Sequence, residues 1–428
     1  MMPPVPLRLP GDVLGLRRDD AVDYRVNIYR AGVWVVSFFH RKVRKVILFG
    51  YLKGESMTQT SDVVVVGGGI IGLAVAYYLA REQVQVTLVE RGAVGREASW
   101  AAAGYLSYQG ESNTPGPRLD LVRTSRLMYD GWIEELQEFT AADTGFWRCG
   151  LLELCLNEAE ARDIQARLTW QQAAGFNIDW LDAAAVRQRQ PHLAPEIPVQ
   201  GGLLLPDVAQ VRPPRLLKAL TEAVMRQGVQ VREHTPVTAI MRDHDRVTGV
   251  TVGHGDPIAA PIVINAAGSW AAQLGPEMAR LPVKPIKGTI VLLETPAPPT
   301  RELLDSSQGS LYPRADNKVL LGATVEDVGF DKRVTLESVD QLVHQAITLM
   351  PALKDATWVT AWSGLRPYTH DNLPYLGPIP GLRGAYAATG HFRSGILLAP
   401  VTGLLIKEMI LGQSPTLPLK PYDVARVL

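Results

Sequence analysis

The sequence has 428 residues, a length sufficient for two packed domains. Apolar residues make up 46% of it and charged residues 20%, the proportions of an ordinary soluble globular protein. Its 43 basic and 43 acidic residues balance, so the composition gives no sign of a nucleic acid or another acidic polymer as a partner. The two cysteines, Cys149 and Cys155, are interpreted as reduced thiols of a cytoplasmic protein, and no Cys/His spacing predicts a metal site.

Residues 1–56 differ from the rest of the chain in charge. They carry ten basic and five acidic residues, whereas the remainder carries 33 basic and 38 acidic residues. Their apolar stretch, residues 31–39, is much shorter than the roughly 20 residues of a membrane-spanning helix, and basic residues follow it instead of preceding it as in a signal peptide. Three interpretations stay open: sequence upstream of a true start at Met57, a targeting or membrane-surface extension, or a small added domain. We favour the first, because Met57 lies just ahead of the first strand of a complete domain.

The predicted elements begin at residue 62. A β-branched run at 62–66 predicts a buried parallel strand, and it is followed by a helix over 70–81 and a strand over 84–90, which together form a βαβ unit. Amphipathic patterns then predict helices over 119–138, 158–174 and 182–190. A second α/β stretch follows, with a helix over 215–227 and strands over 229–233, 237–242 and 262–265. Residues 288–294 and 319–324 are typical of an antiparallel sheet, and the chain ends with a strand over 384–388 and a helix over 394–411.

A glycine-rich turn joins the first predicted strand to the first helix, and it reads G-x-G-x-x-G. Gly67 permits the tight turn, Gly69 lets the backbone approach a pyrophosphate, and Gly72 lets the helix pack closely on the sheet. The N-terminus of the helix favours phosphate charge. Glu90 ends the second strand near the roughly 20-residue spacing expected of a carboxylate that binds a ribose 2′-hydroxyl. This pattern predicts a dinucleotide without a 2′-phosphate, and it leaves both NAD and FAD open.

Two further segments favour FAD over NAD. Residues 98–105 contain a run of small side chains, which lets the backbone lie close to a flat ligand. Residues 389–400 predict a strand that ends in a glycine turn, followed by a second helix whose N-terminus favours negative charge. A reduced flavin carries negative charge near N1–C2=O, so a helix end aimed there would stabilise it. A dinucleotide fold with this C-terminal turn is typical of a flavoprotein.

Taken in order, these motifs resemble those of the D-amino-acid oxidase superfamily of flavoenzymes and, within it, the glycine oxidases of the thiamine thiazole pathway. The resemblance runs from about residue 62 to 411 and includes GGGIIG with Glu90, SWAAAG at 99–104, TPV at 235–237, NAAGSW at 265–270, WSGLRP at 362–367 and GHFRSGILLAP at 390–400. It implies a mixed α/β fold in which a substrate-binding domain with a large antiparallel sheet interrupts a Rossmann-like FAD-binding domain. The FAD-binding domain would comprise residues 57–110, 200–275 and 356–428, and the substrate-binding domain residues 111–199 and 276–355.

The resemblance also implies the residues that contact the cofactor. Besides Gly67, Gly69 and Gly72 these are Ile70, Ile71, Glu90, Arg91, Ala98, Ser99, Ala103, Gly104, Tyr105, Val237, His391, Phe392, Arg393, Ser394, Gly395, Ile396 and Leu397. We interpret His391 as a backbone contact to the flavin and not as a catalytic base. Members with covalent flavin often carry a cysteine close to the position of residues 364–366, and none is present here, so we predict non-covalent FAD.

Arg366 is the candidate for binding a substrate carboxylate, because a planar guanidinium matches a carboxylate with two hydrogen bonds. The resemblance implies the same role for Arg366 and a substrate-side role for Arg393. The family usually carries a tyrosine three residues before a Pro-Arg pair, and here that position is Ser310. Tyr312, two residues on, faces the same side of a strand and could replace it, or it could belong to the core of the sheet. This departure leaves the identity of the substrate open.

The expected function is FAD-dependent oxidation of glycine or another small amino acid or amine. Hydride would pass to flavin N5, and the products would be an imine and hydrogen peroxide, for use in thiazole synthesis. The cofactor carries the chemistry, so no catalytic side chain is named. The alternative is a D-amino-acid or sarcosine-type dehydrogenase that passes electrons to a quinone or carrier protein, and a flavin-bearing subunit without turnover is disfavoured by Arg366 and Arg393. The expected partners are the amine and molecular oxygen, and a homo-oligomer is expected.

Overall fold

The computed structural model describes residues 23–29, 33–40, 43–50, 59–107 and 114–427. The chain divides into two compact units, Met1–Thr58 and Gln59–Leu428. In the first unit, three strands form an antiparallel sheet in the order β1-β2-β3: β1 (Asp23–Tyr29), β2 (Val33–His40) and β3 (Val43–Gly50). Met57 lies outside the described residues, and the three interpretations of residues 1–56 stay predictions.

The second unit contains the remaining strands and all eight α-helices of the described residues. The helices are α1 (Ile70–Arg81), α2 (Ala98–Ala101), α3 (Pro117–Thr140), α4 (Glu158–Ala173), α5 (Ala183–Arg189), α6 (Pro213–Arg226), α7 (Leu336–Leu349) and α8 (Gly395–Ile410). The strands are β4 (Gln59–Thr60), β5 (Val63–Val66), β6 (Val86–Val89), β7 (Tyr105–Leu106), β8 (Trp147–Arg148), β9 (Leu151–Cys155), β10 (Asp179–Asp182), β11 (Gly201–Leu205), β12 (Ala209–Gln210), β13 (Gln230–Arg232), β14 (Val237–Asp243), β15 (Arg246–Val252), β16 (Ile258–Ala259), β17 (Ile262–Asn265), β18 (Lys284–Glu294), β19 (Leu303–Asp305), β20 (Leu311–Pro313), β21 (Lys318–Gly322), β22 (Thr357–Tyr368), β23 (Tyr375–Pro378) and β24 (Ala385–Thr389). Short 3₁₀ helices occupy Gly268–Gln273, Pro351–Asp355, Phe392–Ser394, Lys420–Tyr422 and Val424–Arg426.

A six-stranded sheet forms the nucleotide-binding part of the fold, with the strand order β13-β6-β5-β17-β24-β23. Its strands are parallel except for β23, which pairs antiparallel with β24. All four valines of β5 are buried, as expected for a parallel strand that is covered on both faces. Helices α1 and α8 pack against each other, and α3 and α6 complete the layer around them. The predicted mixed α/β fold class is confirmed.

The turn between β5 and α1 shows why glycine is needed there. Gly67 has a φ of +112°, and a Cβ on it would lie 2.5 Å from the carbonyl oxygen of Ala266, which follows β17. A Cβ on Gly72 would lie only 1.9 Å from the carbonyl oxygen of Gly67. The two glycines therefore let α1 begin directly against the ends of β5 and β17, which sets its N-terminus at the carboxyl edge of the sheet.

An eight-stranded sheet, in the order β10-β11-β9-β19-β20-β21-β18-β22, forms the second layer. Six of its neighbouring pairs are antiparallel and one, β9 with β19, is parallel, so the predicted large antiparallel sheet is present with one exception. Strands β11 and β22 belong to this sheet, although the predicted boundaries place both in FAD-binding segments. The sheet to which a strand belongs depends on pairing with strands that are distant in the sequence, and this information is not present in the local pattern. The division into two domains stays a prediction.

Two smaller sheets complete the unit, in the orders β7-β12-β8 and β14-β15-β16-β4. Cys149 and Cys155 are unpaired, and burial raises the pKa of the Cys149 thiol to about 11 and that of Cys155 to about 12. Both thiols are therefore protonated at neutral pH. In the described part of the chain, no helix combines the length and the apolar character needed to cross a membrane.

Candidate active site

A cavity of about 390 Å³ lies where the two large sheets meet, a size typical of small-molecule sites. On one side it is lined by residues at the carboxyl ends of β5, β6 and β17. On the other side it is lined by residues of β18, β20 and β22 from the eight-stranded sheet. The N-termini of α1 and α8 also border it. One cavity therefore contains both the predicted dinucleotide motifs and the predicted substrate residues.

The N-terminus of α1 faces the cavity through Gly69, Ile70 and Ile71. The amide of Ile70 donates a hydrogen bond to the Ser99 hydroxyl, at 3.0 Å. The Ser99 hydroxyl can still donate its own hydrogen, so it adds a donor beside the positive end of the helix dipole. This arrangement suits an anionic diphosphate.

Glu90 lies on the cavity wall after β6, and its carboxylate is oriented by the glycine turn. Its Oε2 accepts from the amide of Gly68 at 2.8 Å, and its Oε1 accepts from the amide of Gly92 at 2.9 Å. Each carboxylate oxygen has a further lone pair, so Glu90 can also accept from a ribose hydroxyl. Arg91 lines the cavity beside it and stacks on the Trp270 ring, with its Cζ 3.7 Å from the ring centroid.

The small-residue segment 98–105 is held against the eight-stranded sheet by two donors. The indole of Trp362 donates to the carbonyl of Ala101 at 3.1 Å, and the Arg314 guanidinium donates to the carbonyl of Ala103. Arg314 is 5% exposed and also donates to the Gln210 side chain, and burial lowers the pKa of Arg314 to about 10. This contact of Arg314 was not predicted from the sequence; the available signal was its place in the Pro-Arg pair.

The turn before α8 places His391 at the wall of the cavity, where its imidazole is buried and neutral. His391 is 3% exposed, and its Nε2 lies 3.0 Å from the Thr402 hydroxyl. Burial lowers the pKa of His391 to about 3, so the imidazole is neutral near pH 7. Gly395 and Ile396, at the start of α8, line the cavity after it. The geometry supports the interpretation that His391 is not a catalytic base.

Arg366 reaches from β22 across β18 into the cavity. Its Nη1 donates to the carbonyls of Thr324 at 3.0 Å and Lys287 at 3.3 Å. A Cβ on Gly288 would lie 2.1 Å from Nη2, so the guanidinium occupies the space above this glycine. Burial, and then the charge of Arg393, lower the pKa of Arg366, and an anion bound between the two guanidinium groups would relieve both effects.

Tyr312 and Ser310 line the same cavity, as the alternation along a strand predicts. The rings of Tyr312 and Tyr105 are stacked, with centroids 5.8 Å apart and an interplanar angle of 26°. The Ser310 hydroxyl donates to the carboxylate of Asp305, which also lines the cavity. Tyr312 therefore lines the cavity and also packs against the apolar core.

The structure brings most of the predicted site residues together. All of them line the cavity except Gly72, Ser394 and Leu397. The Ser394 hydroxyl accepts from Arg118 at 3.0 Å, and the Leu397 carbonyl accepts from the Ser125 hydroxyl at 2.6 Å, so both serve packing around α8. Cavity residues that were not among the predicted site residues include Glu97, Trp270, Gly288, Ile290, Asp305, Ala323 and Val325. The roles assigned to individual side chains stay predictions.

A parallel sheet with a glycine-rich turn, an oriented ribose-side carboxylate and a second helix N-terminus on one cavity define a dinucleotide-binding flavoprotein fold. The chain matches the model of the family described as FAD dependent oxidoreductase (DAO) over residues 62–409, and it belongs to that family. The residues present fit the cofactor: a helix N-terminus for the diphosphate, Glu90 for the ribose and a small-residue segment for a flat ring.

The chain is similar to several curated proteins and solved structures. It is 38% identical to the glycine oxidase of Geobacillus kaustophilus (strain HTA426), over 86% of this chain and 98% of the relative. It is 39% identical to the bifunctional protein ThiO/ThiG of Synechocystis sp. (strain ATCC 27184 / PCC 6803 / Kazusa), over 83% of this chain and 52% of that protein. The crystal structure of glycine oxidase from Geobacillus kaustophilus superposes with a TM-score of 0.82 at 36% identity, covering 87% of this chain and 100% of that one. The predicted family, enzyme class of FAD-dependent oxidoreductase and FAD cofactor are confirmed.

Proposed function

We propose that this protein oxidises glycine or another small amino acid or amine. The observation that carries the proposal is the pair of guanidinium groups, Arg366 and Arg393, in the cavity that also contains the dinucleotide motifs. A carboxylate-bearing substrate would be held there beside the cofactor. The names of the glycine oxidase relatives support glycine as the first substrate to test, and the ThiO/ThiG relative supports a place in thiamine thiazole synthesis.

Arg366 would bind the substrate carboxylate with two parallel hydrogen bonds. The carbonyls of Thr324 and Lys287 fix its guanidinium, and Lys287 is itself held by an ion pair with Glu326 at 2.7 Å. A fixed guanidinium determines where the α-carbon of the substrate lies. Orientation of this kind contributes to the rate because the reacting atoms must approach to roughly 3–3.5 Å.

The chemistry itself comes from FAD, which supplies an acceptor for the α-hydrogen as hydride at N5 and a route for the electrons to oxygen, as hydrogen peroxide. The substrate amine must be neutral when its α-hydrogen leaves. His391 does not remove the ammonium proton in this proposal, because its buried imidazole is hydrogen-bonded to Thr402. Among the described residues neither cysteine lines the cavity, which supports non-covalent FAD.

Anaerobic bleaching of the bound flavin tests the proposal. Glycine, sarcosine and a panel of D- and L-amino acids are added without oxygen, and we expect glycine or another small member to remove the 450 nm absorbance of oxidised flavin. The proposal is wrong if none of them does. Formation of hydrogen peroxide in air without an added acceptor separates an oxidase from the alternative dehydrogenase, which would need a quinone or a carrier protein.

Arg366→Ala tests the assigned carboxylate site. We expect KM for amino acids to rise far more than KM for simple amines, because only the former present a carboxylate. Arg242→Ala is the matched control, since Arg242 is exposed and pairs with Glu277 at 3.1 Å outside the cavity. Equal losses for both substrate classes would remove Arg366 from this role.

A further inference from the structure

The cavity has an acidic residue on the side of the eight-stranded sheet. Asp305 ends β19, is exposed to the cavity and lines its wall. The other lining carboxylates among the described residues belong to the nucleotide side: Glu90 accepts from the glycine turn, and Glu97 pairs with Arg91 and Lys332. Asp305 is therefore the lining carboxylate, among the described residues, on the side of the eight-stranded sheet.

Asp305 is connected to the side chains that would surround a substrate. Asp305 accepts a hydrogen bond from the hydroxyl of Ser310. Ser310 directly precedes β20, the strand that contains Tyr312. Burial raises the pKa of the Tyr312 hydroxyl, and the charge of Asp305 raises it further. The charges of Arg393 and Arg366 act on the pKa of Tyr312 in the opposite direction, so this tyrosine is near both the acidic and the basic groups of the cavity.

The strand order gives the spacing of the backbone positions at which these two charges are held. The Arg366 guanidinium lies over Gly288 on β18 and bonds to Thr324, just after β21, whereas Asp305 lies on β19. In the order β19-β20-β21-β18 these positions are two or three strand spacings apart, roughly 10–14 Å. An α-amino group is bonded to the carbon that carries the carboxylate, so at this spacing an amino acid held at Arg366 would keep its α-amino group away from Asp305. The end of a longer side chain can reach it.

We propose that Asp305 binds a cationic group at the far end of the substrate, so that the site also accepts amino acids with a second amino group or a guanidinium. This inference rests on the proposed function, in which Arg366 holds the carboxylate. The stacked rings of Tyr312 and Tyr105 would cover the methylene groups between the two charged ends. An acidic side chain would meet Asp305 as a like charge and would be disfavoured.

Pairs of equal-length substrates test the proposal in the FAD-bound enzyme. Ornithine against norleucine and lysine against 2-aminoheptanoate, each as D and L forms, have side chains of equal length and differ by a terminal ammonium in place of a methyl group. We expect kcat/KM for the cationic member to exceed that of its neutral partner at least tenfold in the wild type. Asp305→Asn should lower that ratio at least tenfold, and Asp305→Glu should keep it above one. Asp143→Asn, a change of an exposed aspartate outside the cavity, is the matched control and should leave the ratio unchanged.

The outcomes separate this inference from the proposed function. If glycine bleaches the flavin but the wild type does not prefer the cationic member of either pair, the role of Asp305 is wrong and the proposed function stands. The same conclusion follows if Asp305→Asn retains the wild-type ratio. If no amine bleaches the flavin, the proposed function fails and the inference fails with it. The wild-type comparison decides the question even if the Asp305→Asn chain does not fold.

Discussion

Substitution of Gly288 by alanine should displace the Arg366 guanidinium, the proposed carboxylate site, without unfolding the protein. A Cβ at this position would lie 2.1 Å from Nη2, 2.3 Å from Cζ and 2.4 Å from Nη1 of Arg366. Ordinary contact between such atoms begins at about 3.5 Å, so the guanidinium must move by more than about 1 Å. The clashing atoms are the end of a flexible side chain, and for this reason the fold can adapt at little cost.

The size of the effect follows from what Arg366 loses. Moving the guanidinium breaks its hydrogen bonds to the carbonyls of Thr324 and Lys287, which fix its position. A misplacement of about 1 Å in a positioning group can cost about 100-fold in rate. We therefore expect kcat/KM for glycine to fall by about 10- to 100-fold, which corresponds to about 1.4–2.8 kcal/mol of transition-state stabilisation.

Two measurements test this effect. Steady-state kinetics give kcat/KM for glycine, and the change in the flavin spectrum on adding acetate gives the affinity for a simple carboxylate. Gly131→Ala is a matched control, because a Cβ there meets no atom within 4 Å. Gly364→Ala is a contrast: Gly364 pairs directly with Gly288, but its Cβ would lie 2.6 Å from Ala101, so it should weaken FAD binding. If Gly288→Ala binds acetate and oxidises glycine like the wild type, the space above Gly288 does not position Arg366.

Three further predictions concern the cofactor side of the cavity. Arg314→Leu leaves the partly buried carbonyl of Ala103 without its donor, so we expect a loss of about 1–3 kcal/mol in the free energy of unfolding and a higher Kd for FAD. The exposed Arg148→Leu should change neither. His391 has a pKa lowered to about 3 against about 6.5 when unfolded, so the unfolded chain binds more protons between these values and stability is lost as pH falls through that window. The Tm of His391→Asn should therefore fall less than that of the wild type between pH 6.5 and 4.5. If the substitution also removes an ionisation near neutral pH from the pH dependence of the rate, the interpretation that His391 is not a catalytic base is wrong. Precipitation with trichloroacetic acid should release the flavin into the supernatant, and yellow colour in the pellet would indicate a covalent bond.

Local patterns in the sequence predicted five of the six strands of the nucleotide-binding sheet, all except β23. The predicted helix over 70–81 coincides with α1, because a glycine turn and a run of apolar residues define both of its ends and its packing. Glu90 could be predicted to lie at the nucleotide site for the same reason. Its spacing in sequence from the glycine turn is a property of a βαβ unit and needs no long-range information. The strand, glycine turn and helix at residues 384–411 also follow from short-range signals, and they indicated FAD.

The substrate half depended on tertiary structure. Gly288 accommodates the guanidinium of a residue 78 positions later in the chain, through pairing of β18 with β22 that no local pattern contains. Arg314 reaches a carbonyl more than 200 residues earlier, and its burial became visible only once the sheets were packed. In the sequence nothing distinguishes Asp305 from other polar residues at strand ends, and only the folded structure places it on the wall of the cavity. Short-range sequence patterns specify helices, turns and single strands, whereas the charges that meet in a cavity between two sheets are set by the register and order of the strands.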